Sequence, residues 1–223
     1  MTDTLRQWVA FEQAFGVEEA PARRATPRRS SGNGHRATRL AQLAREAHGC
    51  TACPLYQSRT HLVFGDGHPE AQLVFVGEAP GRDEDRQGKP FVGAAGQLLT
   101  KMIEAIGLKR EDVYIANVLK DRPPSNRQPL PEEMAACRPW LEQQLEIIQP
   151  QVICALGRYA AMTLVDPQIS IMRARGAWAA WRGIPVMPTL HPAYLLRNPD
   201  AKKLVWKDLK AVRDRINQER KCA

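Results

Sequence analysis

Residues 73–99, LVFVGEAPGRDEDRQGKPFVGAAGQLL, leave this chain few choices of fold. The apolar run Leu73-Val74-Phe75-Val76 is short and unbroken, the pattern of a buried strand. Gly77 ends it, and Glu78-Ala79-Pro80-Gly81 forces an irregular turn, because Pro80 lacks a backbone donor and Gly81 tolerates positive φ. Arg82 to Lys89 reads as a charged loop, after which Pro90-Phe91-Val92-Gly93 returns an aromatic ring to the turn. From Gly96 to Ile106 the apolar residues Leu98, Leu99, Met102, Ile103 and Ile106 fall on one helical face. A loop at the carboxyl end of a strand, before a helix, is where open α/β sheets hold their ligands. The ligand is not read as a nucleotide phosphate: G-x-x-x-x-G-K-[ST] is absent, and Gly77, Gly81 and Gly88 do not space as G-x-G-x-x-G.

Around this stretch the chain alternates strands and helices. Val113 to Asn117 reads as a second buried strand and Val152 to Leu156 as a third. Gly176 to Thr189 reads as paired extended segments about Arg182-Gly183. Helices are predicted over Pro131–Ile148, with proline at its first position, from Gly157 through Leu164, and from Lys202 to about Glu219. Lys120 to Leu130 and Leu190 to Arg197 read as loops. Alternation of this kind builds a parallel sheet covered on both faces, so the expected fold is a three-layer α/β/α sandwich around a central, mainly parallel four-stranded sheet. The folded domain is expected over residues 38–223, opening on a helix capped by Thr38 and ended by Gly49. Residues 1–37 are expected to carry a short aromatic helix, Thr4 to Phe15, and a flexible basic linker containing Arg23-Arg24 and Arg28-Arg29. That helix can dock on a protein partner or fold back on its own domain.

Charge and thiol content narrow the partners. The 223 residues carry a formal net charge of +8, which favours a polyanionic partner, and 43% hydrophobic residues, enough for a core. No apolar run approaches a membrane span, and the N-terminus lacks the pattern of a secretory signal, so a cytoplasmic, monomeric protein is expected. In that reducing compartment five cysteines argue for a metal site or free thiols over disulfides. Cys50 and Cys53 have the C-x-x-C spacing that presents two thiolates to one metal centre. With Cys137 and Cys154 they make four, a count that suits a tetrahedral zinc or a four-iron cluster equally. Cys154 by itself can equally be a buried strand thiol acting as a small hydrophobe.

The GEAPG turn, the acidic pair Glu84-Asp85, and PFVG followed by AGQLL closely resemble the first motif of the family-4 uracil-DNA glycosylases. The match is long and ungapped, and the resemblance extends from Cys50 to the last helix. It implies a monofunctional enzyme that flips uracil out of DNA and hydrolyses its glycosidic bond, with a [4Fe–4S] cluster as cofactor. The family's usual third cysteine stands in a K-C-R-P-P loop, where this chain reads Lys120-Asp121-Arg122-Pro123-Pro124. Cys137 fits the remaining family cysteine, and a related branch is similar in placing a cysteine just before an L-G dipeptide, as Cys154 stands here. The expected ligands are therefore Cys50, Cys53, Cys137 and Cys154, with the harder carboxylate of Asp121 outside the set. Cys222 is the odd thiol.

The resemblance also implies a uracil pocket formed by Gly77, Glu78, Ala79, Phe91, Asn117 and His191. Phe91, which beside a strand would ordinarily be core, is expected to stack on the flipped base. Asn117 can accept from uracil N3–H and donate to O4, whereas cytosine presents a donor in place of O4. His191-Pro192-Ala193 matches the H-P-[SA] loop of related glycosylases, which places a histidine against uracil O2. Glu78 is expected to position water or shape the pocket near C5, with Asn126 as a secondary candidate. Leu195 is expected as a DNA-intercalating wedge, and Arg197 with the basic last helix as a phosphate contact. The K-R-R-I-H insertion of covalently trapping relatives is missing after Lys120, so turnover is expected. The rival functions are a glycosylase of the same fold acting on hypoxanthine or xanthine, and a non-catalytic iron–sulfur DNA-binding module.

Overall fold

The strands are β1 (Asp66–Gly67), β2 (Leu73–Gly77), β3 (Tyr114–Asn117), β4 (Val152–Leu156), β5 (Ala179–Trp181) and β6 (Ile184–Thr189). They form one sheet in the order β1-β3-β2-β4-β6-β5, in which β3, β2, β4 and β6 run parallel and the two edge strands are antiparallel. The sheet therefore has six strands where four were expected; the parallel centre is four-stranded, and the additions are short edges. This is a computed structural model, and it describes residues 33–222, with side chains over 34–218. The expected helix Thr4–Phe15 and most of the following linker lie outside the described residues, as does the Cys222 side chain.

The helices are α1 (Asn33–His48), α2 (Arg82–Gln87), α3 (Ala94–Ala105), α4 (Pro131–Ile148), α5 (Arg158–Leu164), α6 (Ile171–Ala174), α7 (Pro192–Arg197) and α8 (Lys202–Cys222). Successive strand residues point to opposite faces, which divides the core in two. Val74, Val76, Ile153 and Ala155 pack with Leu40 and Leu43 of α1, Leu141 and Leu145 of α4, and Leu164 of α5. Leu73, Phe75, Cys154 and Leu156 pack on the other face with Leu99 and Met102 of α3 and Leu209 and Val212 of α8. Each fully buried Val, Leu, Ile, Phe or Met among them contributes roughly 1.5–3 kcal/mol relative to exposure.

Three segments differ from expectation for local reasons. Arg82–Gln87 is helical rather than a loop: Gly81 caps it in an extended conformation, Asp83, Glu84 and Asp85 sit in its first turn, and left-handed Gly88 (φ 67°) ends it. Acids in a first turn complement the helix dipole. The first domain helix starts at Asn33, with Thr38 inside it donating its hydroxyl to the Gly34 carbonyl at 2.7 Å. Arg36, assigned to the linker, reaches the Ile148 carbonyl at 2.8 Å. Pro192–Arg197 is a helix with Pro192 at its start, capped by the His191 imidazole rather than by a hydroxyl or carboxylate. The β5–β6 hairpin turns as expected at Arg182 (φ 47°) and Gly183 (φ 84°), the double left-handed geometry that matches strand twist.

Candidate active site

The parallel strands end along one edge of the sheet, and the residues just beyond them converge there. Gly77, last in β2, pairs with Asn117, last in β3; Gly157 follows β4, and His191 lies two residues beyond β6. A cleft of about 480 Å³ opens at this edge, walled by Glu78, Phe91, Asn117, Tyr159, His191 and Arg197 among others. Of the expected pocket residues, Glu78, Ala79, Phe91, Asn117 and His191 line it.

Gly77 lies behind them and makes their approach possible. A β-carbon there would sit 2.4 Å from Asn117 Oδ1 and 2.5 Å from Phe91 Cζ. Asn117 is buried, and its Oδ1 has no hydrogen-bond partner within the described residues. Buried acceptors are nearly always paired, so this oxygen, in the wall of an open cleft, is poised for a donor from outside the chain. Phe91 is held in a left-handed conformation (φ 52°) and is 6% exposed. Its loop is tied on both sides. Glu84 Oε1 accepts from the Val92 and Gly93 amides at 2.9 Å each, Glu84 Oε2 accepts from the Gly81 amide at 3.1 Å, and Arg110 Nη2 donates to the Pro90 carbonyl at 2.7 Å.

The His191 ring lies 5.5 Å from the Phe91 ring, centroid to centroid, tilted by 33°. Left-handed Gly157 (φ 88°) leaves room for it, since a β-carbon there would stand 3.0 Å from His191 Cβ. The Ala193 amide donates to His191 Nδ1 at 3.1 Å. Nδ1 is thus the acceptor and the ring proton is on Nε2. Burial and the Arg197 cation lower the imidazole pKa to about 4, which keeps the ring neutral at neutral pH. Burial pushes the Glu78 carboxyl up. The other carboxylate in the wall, Glu84, is engaged by three backbone amides. Tyr159 Oη donates to Gln128 Oε1 at 2.7 Å on the far side of the cleft.

Leu195 is not at this surface. It is fully buried in the core beneath α7, while Leu196 beside it is 48% exposed, so the expected placement of Leu195 at a DNA-facing surface is overturned. Had the segment been read as a helix capped by His191, the inward side of Leu195 would have been apparent. Arg197 is exposed at the cleft. Tyr159 and Gln128 were missed because they come from a helix and a loop distant in sequence, and no local pattern marks them.

A second cluster lies on the α1/α4 side. Burial raises the Cys53 thiol pKa, with Asp121, Glu133 and Cys50 adding to it. Burial likewise pushes Cys137 up to about 12, opposed by the Lys120 amide and ammonium and reinforced by Cys53 and Asp121. Trp140 Nε1 donates to Cys50 Sγ at 3.3 Å. Cys50, Cys53, Asp121 and Cys137 therefore share one neighbourhood. Lys120 is fully buried, donating from Nζ to the Asn117 carbonyl at 2.8 Å and to Gln144 Oε1 at 2.6 Å, and burial lowers its pKa to about 7. Cys154 stands apart from the group. Strand alternation turns it to the α3/α8 face, where its charged neighbour is Asp208, so the expected placement of Cys154 beside the other three thiols is overturned. Among the described residues no three His, Cys, Asp or Glu side chains are grouped to hold a single metal ion; a four-iron cluster asks for a wider arrangement, one donor to each iron.

Known proteins match this chain along most of its folded length. A family model described as the Uracil DNA glycosylase superfamily matches residues 64–210. A type-4 uracil-DNA glycosylase of Thermotoga maritima is 49% identical over 174 residues, covering 76% of this chain and 91% of that protein. Type-4 uracil-DNA glycosylases of Sulfurisphaera tokodaii and Archaeoglobus fulgidus are 45% and 46% identical, each over 78% of this chain and over 84% and 91% of their own lengths. With the cleft at the carboxyl ends of the parallel strands, these similarities are decisive: the chain belongs to the uracil-DNA glycosylase superfamily, among its type-4 members.

Proposed function

We propose that this protein is a monofunctional DNA repair glycosylase that flips uracil into the cleft, hydrolyses its N-glycosidic bond and leaves an abasic site. The observation that carries the reading is the Oδ1 of buried Asn117, beside the Phe91 ring and without a partner among the described residues. Extruding a base from the stack costs roughly a few kcal/mol, which the cleft must recover by recognition. Phe91 offers the base a stacking face. Asn117 Oδ1 accepts from uracil N3–H while its amide donates to O4. The neutral His191 donates from Nε2 to O2, where charge gathers as the base departs. A fixed donor in a dry site acts most strongly on that developing charge. Glu84 is engaged by backbone amides, which leaves Glu78 as the carboxyl group in the cleft able to orient the attacking water.

DNA carrying the uracil is the partner. Arg197 contacts phosphate at the cleft mouth, and exposed Leu196 takes the wedge position first assigned to Leu195. The protein works as a monomer in the cytoplasm, where its substrate is. Among the described residues no helix is long and apolar enough to cross a membrane.

The cofactor is a [4Fe–4S] cluster on the α1/α4 side, held by Cys50, Cys53 and Cys137. The surroundings fit an anionic cluster: Lys120 is buried against the neutral Asn117 and Gln144 acceptors, and donors from Trp140 and the Lys120 backbone face two of the sulfurs. When bound, the cluster supplies a cross-link between the turn after α1, the segment after β3, and α4. Lys120 connects that region to Asn117, so the cross-link steadies the residue that reads the base.

The test is incubation with matched oligonucleotides containing uracil, hypoxanthine or xanthine, followed by alkaline cleavage. Cleavage confined to the uracil strand is expected, with Asn117→Asp markedly slower. Robust cleavage of another base without uracil excision, or no cleavage of any strand, overturns the reading.

A further inference from the structure

Three thiolates leave one iron of a cubane without a protein ligand, and among the described residues a single suitable donor stands nearby. Cys154 faces the wrong side of the sheet. Glu133 is near Cys53, but its two oxygens are engaged by Arg127 and by the Leu130 amide. Asp121 is 3% exposed, is an electrostatic neighbour of both Cys53 and Cys137, and directly follows Lys120, whose backbone faces the Cys137 sulfur.

Arg59 holds this carboxylate against the C-x-x-C turn. Its Nη1 lies 3.2 and 3.1 Å from the two Asp121 oxygens and 3.1 Å from the Cys50 carbonyl, while Nη2 donates to the His48 carbonyl at 2.8 Å. One guanidinium nitrogen shared between two oxygens uses only part of a carboxylate's roughly four acceptor sites. An oxygen thus remains able to bind iron while Arg59 fixes the group. The carboxylate keeps the single negative charge a thiolate would bring, but is a harder ligand for this softer site.

Resting on the cluster reading above, we propose that Asp121 is the fourth ligand, giving a three-thiolate, one-carboxylate cluster in which the iron on Asp121 is the exchangeable one. One-electron oxidation by ferricyanide then takes [4Fe–4S]2+ to [3Fe–4S]+, releasing Fe2+, with the electron passing to ferricyanide.

The experiment uses the full chain purified anaerobically, with iron and sulfide analysis and EPR before and after one equivalent of ferricyanide. The untreated protein should hold about four irons per chain and on oxidation release about one, with the EPR signal of an oxidised three-iron cluster. Asp121→Cys should keep its iron and suppress that signal. Cys154→Ser should match the parent in both readouts, and Cys137→Ser should lose the cluster. An Asp121→Cys protein that converts as readily as the parent, or a Cys154→Ser protein that loses its iron, overturns the assignment. Uracil excision is assayed separately: EPR as expected without excision leaves the ligand assignment standing and sinks the proposed function. An iron-free anaerobic protein that still excises uracil sinks the cluster and this assignment together.

Discussion

Gly77 and Asn117 face one another across β2 and β3, and the space a Gly77 side chain would fill is taken by Asn117 Oδ1 and the Phe91 ring. The glycine lets the Asn117 amide and the Phe91 ring share one wall of the cleft. Gly77→Ala must displace one of them, and both are buried. A shift of about 1 Å in such a site can cost about a hundredfold in rate, and forcing a methyl into packed surroundings costs about 1–3 kcal/mol. Single-turnover excision should fall by about two orders of magnitude while the protein remains folded by thermal melt. An unchanged rate would remove Gly77 from its supporting role.

His191 makes two predictions with separable readouts. His191→Ala should lower the chemical rate by about a hundredfold to a thousandfold with little change in DNA affinity, because the donor role proposed for it acts on charge that develops only as the bond breaks. Loss of affinity with an intact saturated rate would make it a binding residue instead. The pH dependence follows from the lowered pKa. Between about 4 in the folded protein and 6.5 for an ordinary histidine, the unfolded chain takes up a proton that the folded one refuses. Stability from this group is therefore fully present above pH 6.5 and declines as pH falls towards 4. His191→Gln, compared with the parent by denaturant titration, should flatten that decline; an equally steep decline in the variant would place its origin elsewhere.

Leu195 and Leu196 should respond in opposite ways. Truncating fully buried Leu195 to Ala should cost about 2–5 kcal/mol of stability, whatever DNA is offered. Leu196→Ala should leave thermal stability almost unchanged and slow excision from duplex DNA more than from single strands, where no stack need be opened. Equal effects of Leu196→Ala on both substrates would deny it the wedge role.

The contrast shows what this sequence discloses. Strands β2, β3 and β4 were legible because each is a short apolar run, buried on both faces, between turn residues. The place of Phe91, Asn117 and His191 in one cleft was legible through their motifs. The side of the sheet on which a strand residue lies was not used: Cys154 looked like a fourth ligand by count, yet its neighbours Ile153 and Ala155, facing α1 and α4, already consign it to the opposite layer. The clasp of Arg59 on Asp121 spans 62 residues, and no local pattern records it. The helical nature of Arg82–Gln87 was obscured by its charge, although Gly81 and Gly88 bracket it.

Glu84 and Asp85 read as one acidic pair in the sequence, but they face different partners and should fail differently. Glu84 accepts three backbone amides and thereby joins the GEAPG turn to the Phe91 loop. Asp85 accepts from the Thr60 amide at 2.8 Å and the Thr60 hydroxyl at 2.7 Å, which ties α2 to the segment before β1. Hydrogen bonds to a charged acceptor contribute about 1.5–3 kcal/mol each, so both Glu84→Gln and Asp85→Asn should lower the melting temperature. Glutamine keeps one acceptor oxygen and turns an N–H2 toward an amide that itself donates, so the anchor that links the Gly81 turn to the Phe91 loop is broken at one end. Because Phe91 occupies a left-handed conformation that such anchors hold in place, Glu84→Gln should also reduce uracil excision by about an order of magnitude or more at temperatures where it is fully folded. Asp85→Asn should excise uracil at the parent rate under the same conditions. Equal activity in the two variants, measured by single-turnover excision well below both melting points, would show that the Glu84 bonds stabilise the fold without shaping the cleft.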